Sequence, residues 1–230
     1  VDDHLGPVVG VVGGSGGVGA SAFAAVLAGV AGPSVLVDVD VGGGGIDVTL
    51  GVESAPGARW SGLRLAGGWL EPSALVAGLP RWGRCAVLAA DCPELDADAV
   101  SQVLGTAARA GPVIVDLPRG SCAERAAALL HCELVVVLAR ADVSGLVAAH
   151  AVAGALPELP IGLVVRRGEV RPGDAAELVG APLLGVLPGL RPASPGLDPR
   201  RLPRAAARVA GGVLDGLRGA RAGRHAVARR

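Results

Sequence analysis

The 230-residue sequence contains no lysine, no asparagine, no tyrosine and no methionine. Aromatic residues make up 2% of it, three tryptophans and one phenylalanine. A core made from this chain must be valine, leucine and alanine, and the 51% apolar content is enough for a large one. All 21 basic residues are arginine, and 21 acidic residues balance them. A net charge of zero leaves no global field to favour nucleic acid or acidic partners. No run approaches the roughly 18 apolar residues of a membrane span, and no signal peptide opens the chain. These absences point to the cytoplasm. The four cysteines, at 85, 92, 122 and 132, lack C-x-x-C spacing. That spacing fits buried or idle thiols better than a metal site or a disulfide framework. The excess of Ala, Gly, Arg, Pro and Val matches a GC-rich coding sequence, which would erode lysine by drift. Drift does not excuse a lysine that chemistry requires.

What is present centres on Val8–Ser21, V-V-G-V-V-G-G-S-G-G-V-G-A-S. An apolar run, Val8–Val12, leads into a glycine-dense turn and then a helical pattern from Ala20. Strand, glycine loop and helix form a phosphate cradle, because glycines let backbone N–H groups converge on an anion at a helix N-terminus. The pattern G-x-x-x-x-G-K-[ST] fits Gly14–Ser21 with Ala20 at the lysine position. Glycines at 14, 16, 17 and 19 exceed what a tight β-α turn needs.

Strand and helix patterns alternate along the chain, which predicts an α/β fold: a doubly wound, mostly parallel sheet of about seven strands with helices on both faces. Continuous apolar runs mark strands at Val8–Val12, Ser34–Val37, Ala86–Ala89, Pro112–Val115, Leu134–Leu138, Gly162–Val165 and Leu183–Leu187. Helical patterns cover Ala20–Val30, Ala97–Arg109, Ala123–Leu130, Val143–Ala155, Gly173–Val179 and Arg201–Leu217, with Asp96 and Asp142 as N-caps. Residues 1–217 read as one domain. Residues 218–230 read as a basic, flexible tail, since Gly219 and Gly223 weaken a helix. The tryptophans at 60, 69 and 82 read as plugs between helix and sheet edge, with a partner surface as the alternative.

Two further stretches carry chemistry. The strand before Gly42–Gly45 ends in Asp38 and Asp40, and carboxylates at the C-terminal ends of parallel strands face the ligand crevice. They suit a Mg²⁺ site or an attacking water, with the glycine run as a loop that closes on phosphate; the alternative is that Asp38 caps or hydrogen-bonds nearby backbone and Asp40 is solvated. Val113–Asp116 is an apolar strand ending in Asp116, the Walker B form that holds Mg²⁺.

In this order and spacing, the three stretches resemble the MinD/ParA family of P-loop ATPases, and within it the CpaE/TadZ branch. The family loop K-G-G-x-G-K-[ST] matches Ser15, Gly16, Gly17, Val18, Gly19, Ala20 and Ser21. Its switch stretch matches Asp38, Asp40, Gly42, Asp47, Gly51 and Glu53, and its Walker B matches Asp116. Glu177–Pro188 resembles the segment near the nucleotide base. The resemblance implies ATP or ADP bound by Gly14–Ser21, with Arg166 at the base-reading position. It implies Mg²⁺ held by Ser21, Asp38 and Asp116, and Asp40 as the residue that activates water. Both family lysines are gone, replaced by Ser15 and Ala20. The implied protein binds nucleotide with weak or no hydrolysis. Arg119 and Arg140 are candidate substitute cations. Its implied role is localisation or assembly in a Tad-type pilus or secretion machine, or in septum placement. Protein partners, a homodimer and peripheral contact with the inner face of the plasma membrane go with that role. Relatives carry an N-terminal receiver-like domain, absent from this chain, which begins at Val1. A slow ATPase switch at the membrane and a nucleotide-free scaffold are the alternatives.

Overall fold

The computed structural model describes residues 5–63, 70–188 and 196–228. The strands are β1 (Val8–Gly13), β2 (Ser34–Asp38), β3 (Arg81–Trp82), β4 (Cys85–Leu88), β5 (Val113–Asp116), β6 (Leu134–Arg140), β7 (Ile161–Arg166) and β8 (Leu183–Leu187). They form one eight-stranded sheet in the order β3-β4-β2-β5-β1-β6-β7-β8. All neighbours are parallel except the β3/β4 pair at one edge. The predicted class holds, and β3 is the strand that sequence patterning omits. Two residues carry too little periodicity to register as a strand.

The helices are α1 (Ala20–Ala31), α2 (Ile46–Leu50), α3 (Pro72–Gly78), α4 (Ala97–Ala110), α5 (Ala123–Leu129), α6 (Val143–Gly154), α7 (Pro172–Val179) and α8 (Arg204–Ala228). Successive strand residues alternate between two cores. Val8 and Val12 of β1 join Val103, Leu104 and Leu146 on the α4–α6 face. Val9 and Val11 join Phe23, Leu27 and Leu214 on the α1–α8 face. Each fully buried valine of this kind contributes about 2 kcal/mol relative to exposure. The sheet interior therefore tolerates unbroken apolar runs, and its helices cover both faces.

Asp96 and Asp142 cap as expected, accepting the N–H of Ala99 at 2.8 Å and of Gly145 at 2.7 Å. The short helices α2 and α3 are absent from the sequence reading. The other difference is α8, which continues to Ala228 through residues assigned above to a flexible tail. Tertiary anchors oppose the low propensity of Gly219 and Gly223, each costing about 1 kcal/mol in a helix. Arg221 donates to the Leu5 carbonyl at 2.8 Å and pairs with Glu133 at 3.2 Å. Among the described residues, no helix is long and apolar enough to cross a membrane.

Trp60 and Trp82 are both buried plugs, with indole N–H groups donating 2.7 Å bonds to the carbonyls of Asp38 and Leu197. Trp69 lies outside the described residues.

Candidate nucleotide site

The sheet order reverses at β1, between β5 and β6, and the crevice at such a switch point is where open α/β sheets bind ligands. A cavity of about 490 Å³ opens there. Gly13 and Ser15–Ser21 form one wall, Asp40 and Gly42–Gly44 a second, and Asp116–Gly120 a third. Gly17 and Gly19 have φ of 70° and 89°, the left-handed region that favours glycine. Gly14 has a different need: a Cβ there would lie 2.7 Å from that of Ala149 on α6. No side chain caps the N-terminus of α1, and its first turn carries no acid. An unneutralised helix dipole thus faces the loop that the sequence marks for phosphate.

The carboxylates converge on the opposite wall. Asp38 and Asp116 are register partners on β2 and β5 and are 2% and 3% exposed. Burial raises the Asp116 pKa to about 8; the negative charges of Asp38 and Asp40 add to the rise, and a hydrogen bond from Ser21 opposes it. Burial likewise raises Asp38 to about 6, against backbone N–H bonds from Ile46, Asp40 and Ala90. A hydroxyl beside crowded carboxylates is the oxygen donor set of a hard cation such as Mg²⁺. Ser21 and Asp116 would hold it, with Asp40 across the cavity.

Asp38 has a different position. It is not part of the cavity wall. Its Oδ1 accepts the N–H of Asp40 at 3.0 Å, and its Oδ2 accepts that of Ile46 at 3.0 Å. Asp38 therefore fixes the start of α2 and the turn that carries Asp40. Gly42–Gly45 belongs to that turn, closed by Gly43 N–H on the Asp40 carbonyl at 3.0 Å. Asp47, from the same switch stretch, pairs with Arg59 at 3.5 Å.

Arg166, at the end of β7, also lies off this cavity. It lines a neighbouring apolar cavity of about 130 Å³ with Phe23, Val26 and Leu187. Its Nε donates to the Val18 carbonyl at 2.5 Å and a terminal nitrogen donates to Pro188 at 3.3 Å. The guanidinium braces the outside of the glycine loop. Its Nη2 would meet a Cβ on Gly19 at 2.6 Å.

The two candidate cations separate cleanly. Arg140 is paired with Asp142 and stands away from the cavity. Arg119 lines it, with Nη1 3.8 Å from where a Cβ on Gly16 would sit. Among the described lining residues Arg119 is the one cation, opposite the gaps left at Ser15 and Ala20. The sequence named Arg119 without singling it out, because its reach across the loop depends on how β5 and β1 pair.

The α/β fold, with its mostly parallel eight-stranded sheet, matches those of solved MinD/ParA P-loop NTPase structures. The ParA family ATPase of Chlorobium tepidum superposes with a TM-score of 0.72 at 17% identity, over 82% of this chain and 86% of that one. MinD of Pyrococcus horikoshii, a septum site-determining protein solved with Mg-ADP, gives 0.68 at 18% identity, over 93% and 98%. MinD from the Aquifex aeolicus MinC:MinD cell division complex gives 0.65 at 19%, over 91% and 88%. In sequence, the chain is 43% identical over 191 residues to the uncharacterized protein Rv3660c of Mycobacterium tuberculosis H37Rv and to MT3760 of strain CDC 1551. The match covers 80% of this chain and 55% of the mycobacterial proteins, so the chain spans about half the length of these relatives. No protein-family model matches it.

Proposed function

We propose that this chain is a MinD/ParA-type domain that binds ATP or ADP with Mg²⁺ and hydrolyses it weakly or not at all. The observation that carries this reading is a cavity with a glycine-rich backbone cradle and oxygen donors but holding Ser15 and Ala20 where the MinD/ParA loop pattern has lysine. Phosphoryl transfer is catalysed chiefly by positioning and by stabilising developing charge. Loss of one preorganised donor costs on the order of 10²–10³ in rate, and two positions are lost here. Binding suffers less, because backbone N–H groups, the α1 dipole and a divalent cation still favour phosphate. When bound, Mg²⁺ neutralises phosphate charge, with Ser21 and Asp116 as its holders. The Mg-ADP complex of a structural neighbour supports this assignment.

The biological role belongs to the same proposal. Membership of the CpaE/TadZ branch makes the chain a localisation or assembly factor, in a Tad-type pilus or secretion machine or in septum placement. A MinD neighbour in complex with MinC supports a protein partner. A nucleotide-set homodimer and contact between residues 218–230 and the inner face of the membrane complete the reading. Arg119 favours one second reading, a slow ATPase with an arginine in the lysine's place.

Calorimetric titration with Mg-ATP, run beside phosphate release and sedimentation, tests the set. Binding with negligible release and an ATP-dependent dimer is the expected result. Release that disappears in Asp40→Ala replaces it with the slow ATPase. Absence of binding makes the loop inherited architecture and the protein a scaffold.

A further inference from the structure

Three consecutive residues, Arg59, Trp60 and Ser61, each grip a different segment of the chain. The guanidinium of Arg59 donates through Nη1 to the carbonyls of Ala55 at 2.8 Å and Gly57 at 3.0 Å. Through Nη2 it donates to those of Val52 and Glu53, both at 2.9 Å. Its Nε pairs with Asp47 at 3.5 Å. These bonds match the five N–H groups that a guanidinium has. Trp60 donates its indole N–H to the Asp38 carbonyl at 2.7 Å and its backbone N–H to the Ala89 carbonyl at 3.2 Å. Ser61 donates its backbone N–H and its hydroxyl to the two carboxylate oxygens of Asp91. Arg59 is thus a post around which residues 47–57 are wound. The next two residues fasten that post to the end of β2 and to the residues that follow β4.

The wound segment runs directly into the cavity wall. Asp40 and Gly42–Gly44 line the cavity, and α2 opens at Ile46. Asp38 holds the near end of that stretch, accepting the N–H groups of Asp40 and Ile46 at 3.0 Å. The far end is α2, whose five residues are too few for a stable isolated helix. Gly45 and Gly51 flank it with φ of 79° and 68°, so the backbone on either side has no Cβ to restrain it. Beside the burial of Ile46 and Leu50, α2 is held by Arg59, through Asp47 and the carbonyls of Val52 and Glu53. We infer that Arg59 is a positioning residue: it does not line the cavity, and it keeps the Asp40–Gly44 wall in the arrangement that accepts a ligand. A wall ordered in advance adds no ordering cost on binding, and a wall ordered for part of the time lowers affinity by that fraction. Lysine does not replace arginine here, because one ammonium does not span carbonyls on four residues. The effect on ligand affinity rests on the proposed nucleotide reading; the clasp itself does not.

The test is amide hydrogen exchange of the full chain by NMR, run beside calorimetric titration with Mg-ADP. The reporters are the amides of Gly43 and Ile46, bonded to the Asp40 carbonyl and the Asp38 carboxylate. In Arg59→Ala both exchange close to the rate of an unstructured amide, and the amides of β1 and β5 keep the parent's rates. A wall closed for about a tenth of the time binds Mg-ADP about tenfold more weakly. Saturating Mg-ADP restores protection to both reporters, a recovery that a merely structural loss does not give. Arg59→Lys, the milder change, behaves as Arg59→Ala. Parent-like protection of Gly43 and Ile46 in either variant overturns the clasp. Faster exchange that extends to β1 and β5 makes Arg59 a support of the whole fold and overturns it as well. Lost protection with unchanged Mg-ADP affinity overturns the positioning of the cavity wall. A parent chain that binds no Mg-ADP overturns the proposed function, and the exchange rates then decide the clasp by themselves.

Discussion

On the β2–β5 side of the candidate nucleotide cavity stand Asp40 and Asp116, the latter hydrogen-bonded by Ser21 from the start of α1, with Asp38 buried behind them. On the loop side stand Ser15 and Ala20, which carry no charge. The two walls serve different parts of one chemistry. Under the proposed function, the first would orient metal and water, and the second would hold phosphate charge in the transition state. On that reading, retaining one and losing the other separates binding from turnover. It also leaves the carboxylate wall crowded: mutual repulsion contributes to the raised pKa values of both Asp38 and Asp116.

Restoring the loop wall gives the largest effect. The double variant Ser15→Lys with Ala20→Lys raises phosphate release by on the order of 10²–10³. A restored pair that binds Mg-ATP and still releases nothing would break the comparison, and the defect would lie on the acid wall.

Stability against pH sharpens the view from the acid side. The folded pKa of Asp116 is raised from 3.8 to about 8, so between those values the folded state holds a proton the unfolded chain has lost. Stability is therefore fully present below about pH 4 and falls as pH rises through 8. The loss in Tm is roughly 10 °C, read by thermal melts across that range. Asp116→Asn flattens the slope, and saturating Mg²⁺ reduces it in the parent chain. A slope identical in Asp116→Asn would show that the crowding is relieved in solution.

Arg119→Ala probes the one cation among the described residues that line the cavity. Nucleotide affinity drops about tenfold, as expected for one charge-assisted contact, in calorimetry. Unchanged affinity would assign Arg119 to solvent. Trp60→Phe is the mildest change. It removes the N–H bond to the Asp38 carbonyl at a cost of about 1–2 kcal/mol, visible in urea melts.

The glycine loop was legible because φ constraints and close backbone approach leave a local residue signature. The strands were legible because a doubly covered sheet needs unbroken apolar runs. Asp38 shows where legibility stops. Its place at a strand end leaves it open between a ligand and a backbone cap from sequence alone, and only the structure shows its oxygens accepting the N–H groups of Asp40 and Ile46. Arg59 carries no sequence signal, since an arginine in a glycine- and proline-rich stretch is ordinarily solvated.

The sequence by itself determined the parallel α/β architecture, the glycine loop and the missing lysines, since each rests on local periodicity, glycine spacing or a single residue's chemistry. Tertiary structure decided the rest. It set β3 against β4, extended α8 on the support of Leu5 and Glu133, and turned Asp38 from the cavity into a brace. It also brought Arg119 to the glycine loop and wound residues 47–57 around Arg59. These outcomes depend on which elements become neighbours across the sheet, and hydrogen bonds and charges between distant segments exist only once that packing is made.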